Sequence, residues 1–226
     1  MKNIVVLTGA GISAESGIET FRDSTGLWKK YEIEDVATEK GFQKNPALVL
    51  EFYNIRRKQL LNSFPNNAHF SLNKLKEKYN LSIITQNVDD LHERSGSTDI
   101  IHLHGKLREA RSIIDNKIYS IKGSELNIGD YCEKGGQLRP NVVWFGEAVP
   151  NMELAIDKVL QASFVIIIGT SLNVFPAASL IDYATKAKRI IIIDPKSSKY
   201  NGIEIINEKA TKAVSILVDE LLELAD

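Results

Sequence analysis

Several short stretches of this 226-residue chain group residue types that do chemistry. Ile4-Val5-Val6-Leu7-Thr8-Gly9-Ala10-Gly11-Ile12-Ser13-Ala14 is an apolar run leading into G-x-G-x-x-A. That pattern suits a strand and turn for a dinucleotide: Gly9 for the bend, Gly11 for close backbone approach to a pyrophosphate, Ala14 for close helix–strand packing. N–H groups at the start of the following helix would offer an anion site. A plain tight turn uses the same glycines. The dehydrogenase companion, a second strand ending in Asp or Glu about twenty residues on, is absent. Gly17-Ile18-Glu19-Thr20-Phe21-Arg22-Asp23 stands there instead, which disfavours hydride transfer.

Thr85-Gln86-Asn87-Val88-Asp89 follows the apolar run ending at Ile84. Amides and a carboxylate at a strand's carboxyl end suit a neutral carboxamide or a ribose. The same Asn or Asp also suits a cap for the segment Asp89-Asp90-Leu91-His92. His102 and His104 alternate in Ile100-Ile101-His102-Leu103-His104-Gly105, and either is placed to titrate near neutrality as a general base. His69 and His92 sit on helix-like segments and read as structural. Gly169-Thr170-Ser171 closes the run Phe164 to Ile168, as a phosphate or ribose contact or as a simple turn. Tyr53 and Arg56 are spaced i and i+3, so one helix face carries a phenol and a guanidinium. Together they would bind a carboxylate; apart they are a core Tyr and a surface Arg.

The elements that must position these groups follow from periodicity. Apolar runs at 4–7, 81–84, 100–103, 164–168 and 190–193 read as buried parallel strands. Between them, Ala68, Leu72, Leu75 and Tyr79 follow helical spacing, as do Val214, Leu217, Val218, Leu221 and Leu222. Asn45-Pro46 opens a helix running to about Leu61. The expectation is a single α/β domain, a doubly wound, Rossmann-like parallel sheet with a smaller lobe built from insertions. The larger lobe takes about 1–23, 63–105 and 140–226, and the smaller about 24–62 and 106–139, the latter irregular and turn-rich. Their cleft would lie beyond the carboxyl ends of the strands.

Composition bounds the function classes. The chain is 43% hydrophobic and 25% charged, ordinary for a globular protein. Lys+Arg of 28 against Asp+Glu of 29 leaves no basic excess for nucleic acid. No apolar run approaches the roughly 20 residues of a membrane span, and no leader precedes the first strand, so a cytoplasmic protein is expected. The single cysteine, Cys132, excludes an internal disulfide or a CxxC redox pair.

Taken together, GAGISAESGIETFRDSTGLW (9–28), TQNVDDLHERSG (85–96), HLHG (102–105), RPNVVWFGE (139–147) and GTSLNVFPAA (169–178) resemble the sirtuin family of NAD-dependent protein deacylases. The resemblance implies NAD as cofactor and acyl-lysine proteins or peptides as substrates. It places Gly9, Ala10, Gly11, Ile12, Ser13 and Glu15 around the pyrophosphate, and Phe21 and Arg22 on a cofactor loop, with Phe21 screening the reacting ribose carbon. Gln86, Asn87, Val88 and Asp89 would shape the nicotinamide pocket, with Asn87 also catalytic and Asp89 on the carboxamide. Gly169, Thr170 and Ser171 would meet the adenosine side, with Asp194 and Ala210 as further cofactor contacts. His104, which directly precedes the glycine, matches the family's base. The acyl oxygen would attack the ribose carbon to give an O-alkylimidate, and His104 would take a proton from the ribose hydroxyls. Nicotinamide, free lysine and O-acyl-ADP-ribose result. Val143, Trp144, Phe145, Gly146 and Glu147 match the segment that pairs with substrate peptide, though Val-Val-Trp-Phe also reads as a core strand.

Tyr53 and Arg56, with the small Ala37, resemble the class III sirtuins that remove negatively charged acyl groups such as succinyl. Desuccinylation is therefore expected beside deacetylation. The chain departs from the family at the structural zinc, normally held by two CxxC pairs, since 106–139 contains only Cys132. Asp130, Cys132 and Glu133 lack the spacing of a mixed site, so no metal is expected. Packing among Leu107, Ile113, Ile114, Ile118, Tyr119, Ile121 and Leu126 is expected to hold the lobe instead. A second departure is Ile192, where the family often has Asn for the adenosine ribose. Competing readings are an NAD glycohydrolase or ADP-ribosyltransferase, and a non-catalytic NAD-binding module.

Overall fold

The computed structural model describes residues 1–20, 27–197 and 202–224. In chain order the strands are β1 (Lys2–Thr8), β2 (Tyr79–Thr85), β3 (Ile100–His102), β4 (Gly105–Ser112), β5 (Ile118–Ser120), β6 (Leu138–Val142), β7 (Phe164–Ile168), β8 (Arg189–Ile193) and β9 (Glu204–Ile206). The helices are α1 (Ile33–Val36), α2 (Glu39–Lys44), α3 (Pro46–Leu61), α4 (Asn67–Lys74), α5 (Leu91–Arg94), α6 (Met152–Leu160) and α7 (Ala210–Glu223). Among the described residues no helix is long and apolar enough to cross a membrane.

The expected apolar runs pair into one parallel sheet of order β3-β2-β1-β7-β8-β9. Both faces are covered, so the strands need no polar alternation. In β1, Ile4 and Val6 meet Leu72 of α4 and Val214 and Leu217 of α7. Val5 and Leu7 point the other way, into a core with Val159 of α6 and Leu180. Register sets Thr8 opposite Thr85 and Ile168, Thr85 opposite His102, and Ile168 opposite Ile193. Five strands thus end level. The order reverses between β1 and β7, which is where open α/β sheets bind ligands. The Asn45 side chain caps α3 by accepting from the Leu48 N–H, and Pro46 takes the first helical position, as the sequence predicts.

Three expectations are corrected. The spacing Ala68, Leu72, Leu75, Tyr79 is not one helix: α4 ends at Lys74, a 3-10 turn covers Leu75–Glu77, and Tyr79 opens β2. Its hydroxyl donates to the Leu221 carbonyl (2.6 Å), an anchor that suits a strand start as well as a helix. Second, the glycine motif leads into 3-10 turns at Ala10–Ile12 and Ala14–Ser16, stopped by Gly17 at φ +82°, and among the described residues no long helix follows directly. Asn66 ties these turns down by donating to the Ile12 carbonyl (2.8 Å) and the Ser16 hydroxyl (2.9 Å). Ala14 is exposed, so it packs no helix against the strand.

Third, residues 106–139 are not merely irregular. They carry an antiparallel sheet of order β5-β4-β6, whose strand β4 buries Leu107 and Ala110 between charged neighbours. Its core adds Val36, Ala37, Phe42 and Trp144 to the α3 residues Val49, Phe52, Tyr53 and Leu60. Leu107, Ile121 and Leu126 are buried there and Tyr119 packs against them. Ile113, Ile114 and Ile118, expected inside, are 55%, 56% and 56% exposed. They lie at or beside strand ends, toward solvent.

Candidate active site

The level carboxyl edge of the parallel sheet gathers most of the chemistry-bearing motifs. The Gly9 N–H donates to the Ile168 carbonyl and the Gly11 N–H to the Gly169 carbonyl, both at 2.9 Å. A Cβ on Gly9 would lie 2.7 Å from the Gly169 oxygen, and one on Gly11 2.5 Å from the Gly169 Cα. Gly9 itself is extended at φ −121°. The two glycines are therefore needed for close approach of the β1 and β7 turns. This close approach is a reason for both glycines that the sequence reading did not give. Gly169 adopts φ +63°, a conformation that favours glycine.

Around this contact, Ala10 and Ile12 form the first turn, with Ile12 in the core. Glu15 faces α7, accepting from the Thr211 N–H (3.3 Å) and hydroxyl (2.7 Å) beside buried Ala210. Thr170 and Ser171 follow Gly169, and the Thr170 hydroxyl accepts from Gln86 Nε2 (3.4 Å). Asp194 leaves the end of β8 and accepts from the Lys196 N–H (2.8 Å), while Ile192 is buried. Phe21 and Arg22 lie outside the described residues.

Ser13, Asn87 and Asp89 form one buried cluster. Asn87 Nδ2 donates to the Gly9 carbonyl (3.1 Å) and to Ser13 Oγ (3.3 Å). Ser13 donates to Asp89 Oδ2 (2.9 Å), and Asp89 Oδ1 accepts from the Leu91 N–H (3.1 Å). Asp89 thus meets the Ser13 hydroxyl and the first N–H of α5 at once, next to Asp90 at the N-cap position. Burial raises its pKa, against the pull of the Leu91 N–H and the Ser13 hydroxyl.

The two histidines separate by environment. The carbonyls of Thr85, Gln86, Asn87 and Val88 are met in turn by the Leu103 N–H (2.9 Å), His104 Nδ1 (3.0 Å), His102 Nδ1 (3.1 Å) and the Leu107 N–H (2.8 Å). Imidazoles thus continue the ladder after β2 leaves the sheet. A carbonyl only accepts, so His104 carries hydrogen at Nδ1 and offers a lone pair at Nε2. Burial lowers the His104 pKa and favours the neutral ring, partly offset by the Gln86 carbonyl. His102 is more deeply buried, and its Nε2 faces Glu93 Oε1 at 2.8 Å. His69 and His92 are buried as expected of structural histidines, with ring centroids 4.9 Å apart.

A second cluster borders this edge. Buried Tyr53 accepts from Trp144 Nε1 (2.9 Å), and the Arg56 guanidinium lies 4.9 Å from the Trp28 ring centroid and 5.5 Å from that of Tyr53. Val143 N–H donates to the His104 carbonyl (2.9 Å) and Phe145 N–H to the Ala37 carbonyl (3.0 Å). The segment from Val143 therefore runs past the β6 end, joining His104 to the Ala37 wall, and Phe145 and Gly146 are exposed. Val-Val-Trp-Phe is thus not a core strand. Glu147 turns inward, against its expected substrate role: its carboxylate accepts from Arg139 (2.6 Å), Arg111 (2.6 Å) and the Trp144 N–H (2.8 Å). Burial alone would raise its pKa, but Arg139 and the Trp144 N–H hold it below the ordinary value. Arg139 also lies 3.2 Å from the Trp144 ring centroid. Sequence reasoning missed Arg139 as the residue that seats Trp144, although it opens the same RPNVVWFGE stretch.

The Sir2 family pattern matches residues 9–176, which takes in the glycine turn, the Asn87 cluster, both histidines and Gly169. The chain belongs to the Sir2 family. It is 52% identical, over 100% of both chains, to an NAD-dependent protein deacylase of Helicobacter pylori. It shares its fold with a solved Sir2 homolog–NAD complex at TM-score 0.90 and 39% identity, covering 100% of this chain and 91% of that one. A Sir2 structure bound to acetylated peptide matches at TM-score 0.81 and 31% identity, covering 96% of this chain and 92% of that one. The Rossmann-like sheet and separate antiparallel sheet are the Sir2 fold.

The Sir2 zinc does not fit this chain. Among the described residues no three His, Cys, Asp or Glu side chains cluster as metal ligands. Cys132 is buried and accepts from the Ser112 hydroxyl (3.2 Å) and the Gly136 N–H (3.3 Å). Glu133 is engaged by Lys117 and Tyr119, and Asp130 by the Asn127 N–H. NAD does fit the strand-end edge. Asn87 Oδ1 has no partner among the described residues, which leaves it to meet a polar group of the cofactor.

Proposed function

We propose that this chain is an NAD-dependent protein-lysine deacylase that removes acetyl groups and also negatively charged acyl groups such as succinyl. The observation that carries the reading is His104, with its tautomer set by the Gln86 carbonyl, next to the Asn87–Ser13–Asp89 cluster at the level strand ends. When bound, NAD+ supplies a ribose carbon primed for transfer, because its bond to cationic nicotinamide breaks readily. The turn at Gly9 to Ser13 and the residues Gly169 to Ser171 would hold the pyrophosphate and adenosine side, with Asp194 near the ribose. Gln86, Asn87, Val88 and Asp89 would form the nicotinamide pocket, its depth keeping water away. His104 Nε2 would receive a proton from a ribose hydroxyl, which its neutral ring is able to do. Acyl-lysine peptide would lie along Val143 to Gly146, with the acyl chain directed between Ala37, Tyr53 and Arg56.

The charged-acyl reading is supported by the pair Tyr53 and Arg56. Because the Tyr53 oxygen already accepts from Trp144, its own hydrogen points elsewhere and is available to a carboxylate. Arg56 adds a charge-assisted donor. The test is mass spectrometry of acetyl- and succinyl-lysine peptides incubated with and without NAD+. Both peptides should lose their acyl group only with NAD+, giving nicotinamide and O-acyl-ADP-ribose. Release of free ADP-ribose with the acyl group left in place would contradict the proposal.

A further inference from the structure

We propose that His102 is a positioning residue for the reaction: its Nδ1–H fixes the Asn87 carbonyl and so holds the Asn87 carboxamide in place. This rests on the reading that Asn87 belongs to the reacting site. The Asn87 N–H donates to Thr85 Oγ1 (3.0 Å), and its Nδ2 is spent on Gly9 and Ser13. Its carbonyl is met by His102. Only Oδ1 has no partner among the described residues, so every other polar atom of Asn87 serves to aim that one.

The His102 ring sits between two acceptors, the Asn87 carbonyl at Nδ1 (3.1 Å) and Glu93 Oε1 at Nε2 (2.8 Å). Neither can donate once Glu93 is ionised, so each contact forms only where the ring carries a hydrogen, and the proposed role requires one at Nδ1. Glu93 stays ionised: despite burial, its bond to His102 and the nearby Lys106 (3.1 Å) hold its pKa down to about 2. Lys106 of β4 pairs with Glu93 (3.1 Å), Asp90 stands at the N-cap of Glu93's own helix, and Asn151 Nδ2 donates to the His102 carbonyl (2.8 Å), pinning its backbone. The carboxylate thus orients the ring so that Nδ1–H faces Asn87. A mispositioned pocket group typically costs about 10–100-fold in rate.

Asparagine places its amide nitrogen where histidine has Nδ1, and glutamine places its own near Nε2. His102→Asn therefore keeps a donor to the Asn87 carbonyl and loses Glu93. His102→Gln does the reverse. Each loses one of two buried bonds, so a merely structural role would lower thermal stability and activity of both alike. Expected instead is a kcat for NAD+-dependent deacylation within about threefold of wild type for His102→Asn and about tenfold or more lower for His102→Gln, with KM for the peptide little changed. Equal impairment, wild-type rates in both, or a faster glutamine variant would overturn the role of His102. Absence of NAD+-dependent turnover in the wild type would instead sink the reading of the site. Should neither variant fold, 15N NMR of the wild-type histidines decides. A hydrogen on His102 Nδ1 at neutral pH supports the assignment, and a ring protonated at Nε2 alone refutes it.

Discussion

Arg56 has aromatic rings around it and, among the described residues, no carboxylate within ion-pair distance. Burial pulls its pKa below the usual arginine value, with Tyr53 and the more distant Asp89 opposing. A cation packed against Trp28, Phe52 and Tyr53 without a counter-ion is costly, and an anionic ligand would relieve that cost. Arg56→Met keeps the apolar stem and removes the charge together with the guanidinium that meets the rings. Losing one member of a buried charge pair costs about 2–5 kcal/mol, so kcat/KM for succinyl peptide should fall at least about 30-fold more than for acetyl peptide. Equal losses on the two peptides would end the assignment. The proton acceptor gives a separate test. Since burial lowers the His104 pKa, the ring is neutral above that value and charged below it. Activity should be flat near neutrality and fall as pH drops through a midpoint below about 6.5. His104→Ala should cost about 10²–10⁴-fold in kcat. An acid limb centred above neutrality would contradict the proposed role.

At the level of elements, the strands were legible because burial on both faces leaves an uninterrupted apolar signature, as in Phe164 to Ile168. The antiparallel sheet was not, because β4 alternates only Leu107 and Ala110 against charges and β5 is three residues long. Motif glycines were legible as glycines but not in their reason, since the partner of Gly11 is Gly169, 158 positions away, and no local pattern shows it. Tyr79 looked helical because spacing alone cannot tell a helix end from the strand that continues it. His69 and His92 were legible as structural, and their packing between α4 and α5 has a consequence for acid stability. Burial depresses the two pKa values to about 4 and about 3. In the unfolded chain they return to about 6.5, so stability is full above that pH and declines as pH falls toward about 4. Each contributes a slope of about 1.4 kcal/mol per pH unit in that window. His69→Asn retains an acceptor for the Asn66 N–H and removes one titration. Between pH 6.5 and 5, urea unfolding should show the wild type losing about 2 kcal/mol more than the variant. Parallel losses would show that these rings do not govern acid stability.

For the molecule as a whole, the small antiparallel sheet must keep Tyr53 and Trp144 in register with the parallel edge. The residues that do this come from α3. Arg57, fully buried, donates to the Leu107 carbonyl (2.8 Å), the Ser124 carbonyl (2.6 Å) and Asn54 Oδ1 (2.8 Å). Asn54 in turn donates to the Leu126 carbonyl (3.2 Å) and accepts from the Leu126 N–H (3.0 Å). Burial lowers the Arg57 pKa to about 10, so it remains charged near neutrality and its bonds are charge-assisted. The ion pairs around Cys132, Lys117–Glu133 and Lys134–Asp115, are mostly exposed and contribute little by comparison. A metal-dependent lobe and an arginine-stitched lobe respond differently. Chelators should leave both melting temperature and deacylation unchanged, and purified protein should contain far less than one zinc per chain. Arg57→Ala strands the buried Leu107 carbonyl and the half-buried Ser124 carbonyl and should cost about 3 kcal/mol or more, a fall in melting temperature of roughly 6–12 °C. Arg57→Lys, which reaches one carbonyl but not both, should lie between. Stoichiometric zinc, or melting that chelators lower while Arg57→Ala does not, would show that the lobe is held by a metal after all.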